Sequence, residues 1–150
     1  MDTAARTTDL QFPRFQTTSP NGTVIGTVTI TPTTGSNPFE LSGSGEGWVA
    51  EGQALTLTPA SESRVLYVLT FGFPATSSGF GFDAVAVEVS KQGEEAFICQ
   101  LGEPGAATVT LNLINALTSG SAQYDLGFHI VTPNGSIIPW DPAVAFNPPD

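Results

Sequence analysis

The chain has 150 residues, 40% of them hydrophobic and ten of them Phe, which is the size of one domain with a real core. Only 12% are charged, and four Lys or Arg stand against fourteen Asp or Glu for a net charge of −10. That balance repels phosphate backbones and anionic headgroups, so neither nucleic acid nor a membrane surface is an expected partner.

Residues 1–8 read as a flexible N-terminal tail, and residues 9–150 as a single β domain ending in an extended Pro-rich segment. The N-terminus lacks the basic and apolar regions of a signal peptide. No apolar stretch approaches the ~20 residues of a membrane span. The expectation is a cytoplasmic protein.

Leu10 and Phe12 alternate with Gln11 and Pro13, which predicts a short strand. Pro13 marks it as an edge or a bulge, because Pro cannot donate to a ladder. Ser19-Pro20-Asn21-Gly22 is a hairpin turn signal. Val24, Gly26, Val28 and Ile30 then share one face, with Ile25, Thr27 and Thr29 on the other. Residues 31–38 are a loop. Phe39 and Leu41 open a strand that Gly43-Ser44-Gly45-Glu46-Gly47 interrupts and Trp48-Val49 resumes. A phosphate cradle would need a following helix and usually a Lys. Leu55-Thr56-Leu57-Thr58 reads as a strand instead, so these glycines predict a bulge or a close backbone approach.

Val65, Tyr67, Leu69 and Phe71 alternate with Leu66, Val68 and Thr70, and both faces are largely apolar. This strand is expected to be central. Phe80, Phe82, Ala84, Ala86 and Glu88 form one face of the next, and Asp83, Val85, Val87 and Val89 the other. Residues 96–101 make a strand. Val109, Leu111 and Leu113 make another, which one helical turn over 113–117 closes. Tyr124, Leu126, Phe128 and Ile130 face the core from a strand ending at Thr132-Pro133-Asn134-Gly135, a second hairpin signal. The tail from Pro139 to Asp150 is extended, because its prolines forbid helix.

Eight or nine short strands with regular turns predict an all-β fold. The first expectation is an antiparallel β-sandwich, immunoglobulin-like or Greek-key, and the alternative is an eight-stranded β-barrel.

The chemistry-bearing residues are sparse. His129 is the single histidine and Cys99 the single cysteine. The two cannot make a zinc site without carboxylates. No calcium loop appears, so no metal and no cofactor is expected. Cys99 reads as a buried hydrophobe. Asp125 shares a strand face with His129 but lies ~13 Å along it, too far to form a dyad. Asp83 and Glu88 fall on opposite faces of one strand, which disfavours a glycosidase pair. Trp48, Trp140 and Tyr124, with Asp141 beside Trp140, have two readings. They are a sugar-stacking platform, or they fill the open ends of the fold. The scattered carboxylates likewise suit either a solvated surface or one that takes a cation or a basic partner.

Other residues support a resemblance. Glu103-Pro104 sits in a turn, Asp141-Pro142 precedes Asn147-Pro148, and a hairpin spans Phe128 to Trp140. In these dipeptides, length and all-β pattern the chain is similar to the small bacterial DP-EP proteins, whose activity is unassigned. The resemblance implies an immunoglobulin-like sandwich and assigns no residue a role.

The leading expectation is therefore a non-enzymatic binding or structural module with a protein or glycan partner. It would self-associate through an exposed edge strand, with the C-terminal tail docking on a neighbour. One alternative is a carbohydrate-binding module using Trp48, Trp140, Tyr124 and Asp141. Another is a small hydrolase using His129 with a carboxylate.

Overall fold

The computed structural model describes residues 22–60, 64–91, 98–101 and 103–149. The predicted first strand at Leu10–Arg14, the residues 1–8 and most of the first hairpin turn lie outside them. Among the described residues there are eleven strands and no helix. They are β1 (Gly22–Pro32), β2 (Phe39–Gly45), β3 (Trp48–Gly52), β4 (Ala54–Leu57), β5 (Val65–Gly72) and β6 (Gly81–Lys91). Then come β7 (Ile98–Leu101), β8 (Thr108–Asn115), β9 (Ala122–Val131), β10 (Ile137–Trp140) and β11 (Ala143–Phe146). The predicted helical turn over 113–117 does not form: Ile114 and Asn115 continue β8, paired with Leu66 and Val65.

The strands form one hydrogen-bonded path in the order β7-β6-β9-β11-β4-β3-β2-β1-β5-β8, with β10 also on β9. The path curls back on itself. Phe82 of β6 forms a bridge with Ala106, just ahead of β8, and β6 and β8 approach each other. The wall is thus a nearly closed barrel. It also has the facing layers of a sandwich: Phe71 of β5 and Phe128 of β9, on strands that are not neighbours, meet across the interior at 5.2 Å. The pairings β6/β9 and β5/β8 skip strands, as Greek-key connections do. Two pairings are parallel, β1 with β5 and β4 with β11, which an all-antiparallel expectation did not contain.

Alternation along each strand supplies the core. Val28, Ile30, Leu55, Leu57, Tyr67, Leu69 and Phe71 are all fully buried. The central-strand reading of Val65–Gly72 holds, with β1 on one side and β8 on the other. One strand breaks its own alternation. Phe82 pairs with Ile130 and Val87 with Phe128, so residues 83–86 of β6 oppose a single residue of β9, His129. This wide bulge shifts the phase, and Phe82, Val87 and Val89 all point inward. Asp83 and Glu88 are therefore not separated onto opposite faces by simple alternation, as expected; each neighbours an inward residue and each is half-exposed.

The Gly-rich stretch 43–47 is the β2–β3 hairpin. Its glycines admit the indole of Trp48. A Cβ on Gly45 would lie 2.3 Å from Nε1, and one on Gly26 of β1 2.5 Å from Cζ2. Gly43, at φ +139°, approaches the same ring. The close-approach reading of this stretch is borne out.

The C-terminal tail is extended, but it belongs to its own sheet. Its register on β9 is continuous from Ile137↔Val131 to Phe146↔Ala122, across the break at Asp141-Pro142. There the Pro142 carbonyl still accepts from Leu126 N–H at 2.8 Å. Beyond the break β11 gains β4 as a second, parallel partner. Ala143–Phe146 is thus flanked on both sides within its own chain, where the sequence had suggested a tail free to dock on a neighbour. The turn that sets this register is the second Pro-Asn-Gly signal, closed by Gly135 N–H to Thr132 O.

Asn115, fully buried at the end of β8, fastens the base of the barrel. Its amide donates to Leu57 O at 3.1 Å and Asn147 O at 2.8 Å, and its Oδ1 accepts from Leu117 N–H. Asn115→Leu takes a donor from the Asn147 carbonyl and an acceptor from the Leu117 N–H, while Leu57 O keeps the Asn147 N–H at 3.0 Å, and is expected to cost about 1–3 kcal/mol, read by urea denaturation. Gly26→Ala drives a methyl into a rigid indole and is expected to cost about 1–3 kcal/mol. In a double-mutant cycle, Trp48→Leu should absorb most of that penalty; strict additivity would show that the ring is not seated on Gly26.

Candidate functional site

Trp48, Trp140 and Tyr124 do not form a platform. They are 6%, 4% and 7% exposed. Trp140 is turned inward from β10, stacked on Phe128 at 5.9 Å and tilted on Phe39 at 5.5 Å. Its indole N–H donates to Gln53 Oε1 at 2.7 Å. Tyr124 meets the edge of Phe146 at 5.6 Å. Asp141 is exposed, with Oδ1 over Gly127. Sugar stacking needs an open aromatic face, so of the two readings these rings follow the one in which they fill the fold. The reason is packing: inward positions of β3, β9 and β10 need large side chains to fill the barrel.

His129 does find a carboxylate, though not the one on its own strand. The bulge in β6 brings Glu88 across, and Nε2 of His129 lies 3.8 Å from Glu88 Oε2. The other ring nitrogen is occupied. Nδ1–H donates to the Val85 carbonyl at 2.8 Å, a main-chain group that the bulge takes out of the ladder with β9. In a catalytic triad the carboxylate holds one nitrogen and the nucleophile takes the other. Here that second nitrogen holds backbone. The Glu88 side chain is 41% and that of His129 26% exposed. Asp141 and Glu88 both border the space over Gly127. Among the described residues no group of three His, Cys, Asp or Glu is placed to hold a metal ion.

The second feature lies at the splayed end of β1 and β2. A half-open cleft of about 200 Å³ is lined by Gly22, Thr23 and Val24 of β1, Glu46 of the β2–β3 turn, and Val65 and Tyr67 of β5, with Pro59 and Ala60. The Tyr67 hydroxyl donates to Gly47 O at 2.9 Å. Burial, and then the Glu46 carboxylate, push the phenol above its ordinary range, so it stays a protonated donor. No residue in this cleft was singled out from sequence alone. The one available signal was the cluster of glycines around Trp48, which reported a close approach without saying what lay beside it.

No protein-family model matches the chain, and a search of curated proteins gives no match either. No helix among the described residues is long and apolar enough to cross a membrane.

The geometry makes His129 a brace for the bulge. His129→Ala should lower stability by about 1 kcal/mol through loss of the bond to Val85. Glu88→Gln, at an exposed pair, should change it by less than about 0.5 kcal/mol. Urea denaturation of both variants separates the two contributions; equal losses would mean that the ion pair, and not the backbone bond, matters.

Proposed function

We propose that the chain is a non-enzymatic binding module that engages a protein partner by main-chain pairing at an open sheet edge. One observation carries this reading. Over Gly22–Ile25, β1 has β5 along one side and no paired strand along the other among the described residues, because the ladder with β2 covers Thr29–Pro32 and the β2–β3 hairpin lies beside β1 only as far as Gly26. A free edge offers a row of N–H and C=O groups to an extended segment, independent of side-chain chemistry.

The side chains favour the same reading. The large aromatics singled out for a glycan site are in the core. The one imidazole has its Nδ1 bonded to main chain. Membership of the DP-EP family belongs to this proposal too, resting on Glu103-Pro104 and Asp141-Pro142.

The Thr27 carbonyl points towards β2, lying 3.0 Å from where a Gly43 Cβ would stand. By strand alternation, Thr23 and Ile25 present their main-chain groups on that same side. Amide hydrogen exchange followed by NMR should find Ile25 exchanging orders of magnitude faster than Leu69 of the central strand. Protection of Ile25 equal to that of Leu69 would refute an open edge.

A further inference from the structure

We propose that Asn134, at the tip of the β9–β10 hairpin, is a site of spontaneous deamidation whose product loosens the strand that carries Trp140.

The sequence singles this residue out. An asparagine deamidates when the backbone nitrogen of the next residue attacks its side-chain carbonyl carbon, and a following Gly leaves that approach unscreened by a Cβ. Asn37 and Asn147 precede Pro, whose nitrogen has no proton to give up. Asn112 and Asn115 lie within β8 and precede Leu113 and Ala116. Among the described residues Asn134 alone precedes Gly.

The turn supplies the geometry. Pro133, Asn134, Gly135 and Ser136 are all exposed, and a Cβ on Gly135 would meet nothing within 4 Å, so solvent has free access to this peptide. Asn134 Oδ1 accepts from Ser136 N–H at 3.1 Å and from the Thr132 hydroxyl. The first bond turns the carboxamide forward along the chain, towards the peptide whose nitrogen attacks. Both donors polarise the carbonyl and hold the oxygen that takes negative charge when the nitrogen adds. One bond opposes the reaction: Gly135 N–H donates to Thr132 O at 2.9 Å. It is a single bond at an exposed tip, and such tips open by fraying without global unfolding.

Solvent base takes the Gly135 amide proton, the nitrogen bonds to Asn134 Cγ, and the Cγ–Nδ2 bond breaks as ammonia leaves with a proton from water. The succinimide so formed adds one water at either carbonyl. One opening gives aspartate. The other gives isoaspartate, in which the main chain runs through Cβ and Cγ and is one carbon longer.

That extra carbon falls where the turn has no slack. Thr132 N–H to Ser136 O at 2.8 Å and Gly135 N–H to Thr132 O close the hairpin. The register from Ile137↔Val131 to Trp140↔Phe128 follows from that closure. Isoaspartate breaks it and frees Ile138, paired with Ile130, before Trp140, which Gln53 still anchors.

The test is peptide mapping by mass spectrometry of the folded full chain aged in mildly alkaline buffer. Asn134 should convert at least about tenfold faster than Asn112 or Asn115. Asn21-Gly22, the other Asn-Gly of the sequence, is mapped separately. Thr132→Val removes one donor and should slow Asn134 about threefold, whereas Thr132→Ser keeps the donor and should not. In the isoaspartate fraction, hydrogen exchange at Ile138 should be faster than in fresh protein. An Asn134 that stays intact in the folded chain while the urea-unfolded chain converts it would mean that the closed turn protects the residue, and overturns the site. A rate untouched by Thr132→Val overturns the assistance from the turn, and unchanged exchange at Ile138 overturns the loosening of β10.

Discussion

A closed circuit of aromatic rings holds the two walls of this sheet apart at a set distance. Phe128 stacks on Trp140, Trp140 leans on Phe39, and Phe39 meets the edge of Phe80 at 6.1 Å. Phe80 then contacts Phe73 at 5.7 Å, Phe73 contacts Phe82 at 5.2 Å, and Phe82 returns to Phe128 at 6.1 Å. These rings come from β2, β6, β9, β10 and the β5–β6 connection, so one cluster ties together elements far apart in the sheet order. Each ring pair adds about 0.5–1.5 kcal/mol beyond its buried area. The consequence reaches function. Four of its six rings, Phe39, Phe82, Phe128 and Trp140, are buried and not available to stack on a ligand, which shifts recognition towards short side chains and main chain.

The bulge in β6 follows from the same packing. Phe82 must point inward to close the circuit, and so must Val87 and Val89 farther along. An odd number of steps separates Phe82 from Val87, and a regular strand cannot satisfy both. The extra residues oppose His129 alone, with Val85 still paired to Leu101 of β7, and the imidazole takes the Val85 carbonyl. A histidine that resembles a catalytic candidate in sequence is thereby occupied in holding the backbone.

Much of this was legible because it is local. The period-two runs at Val24–Ile30, Val65–Phe71 and Tyr124–Ile130 became β1, β5 and β9, and Pro133-Asn134-Gly135 set the register of the last hairpin. The bulge was half legible: Phe82 and Glu88 shared one face on paper, a conflict that alternation cannot settle but that a phase shift does. Partner choice was not legible. Nothing near Ala143–Phe146 announces that it lies between β9 and β4, because that pairing depends on Ala54–Leu57, about 90 residues away. The exposure of Trp48 and Trp140 was equally hidden. Their burial depends on glycines in β1 and β2 and on Gln53, which share no motif with them.

An exterior poor in charge and dominated by Thr and Ser recognises little through its side chains, since such groups bond as readily to water. Main-chain pairing escapes that limit. A strand added to an edge makes several aligned bonds at once, and the entropy of ordering it is spread over all of them. The exposed Ile25, at 78%, lies on a long strand whose second side is only partly paired among the described residues. An apolar side chain that exposed contributes nothing to the core, and on a half-open strand it gains burial only when another strand lies beside it.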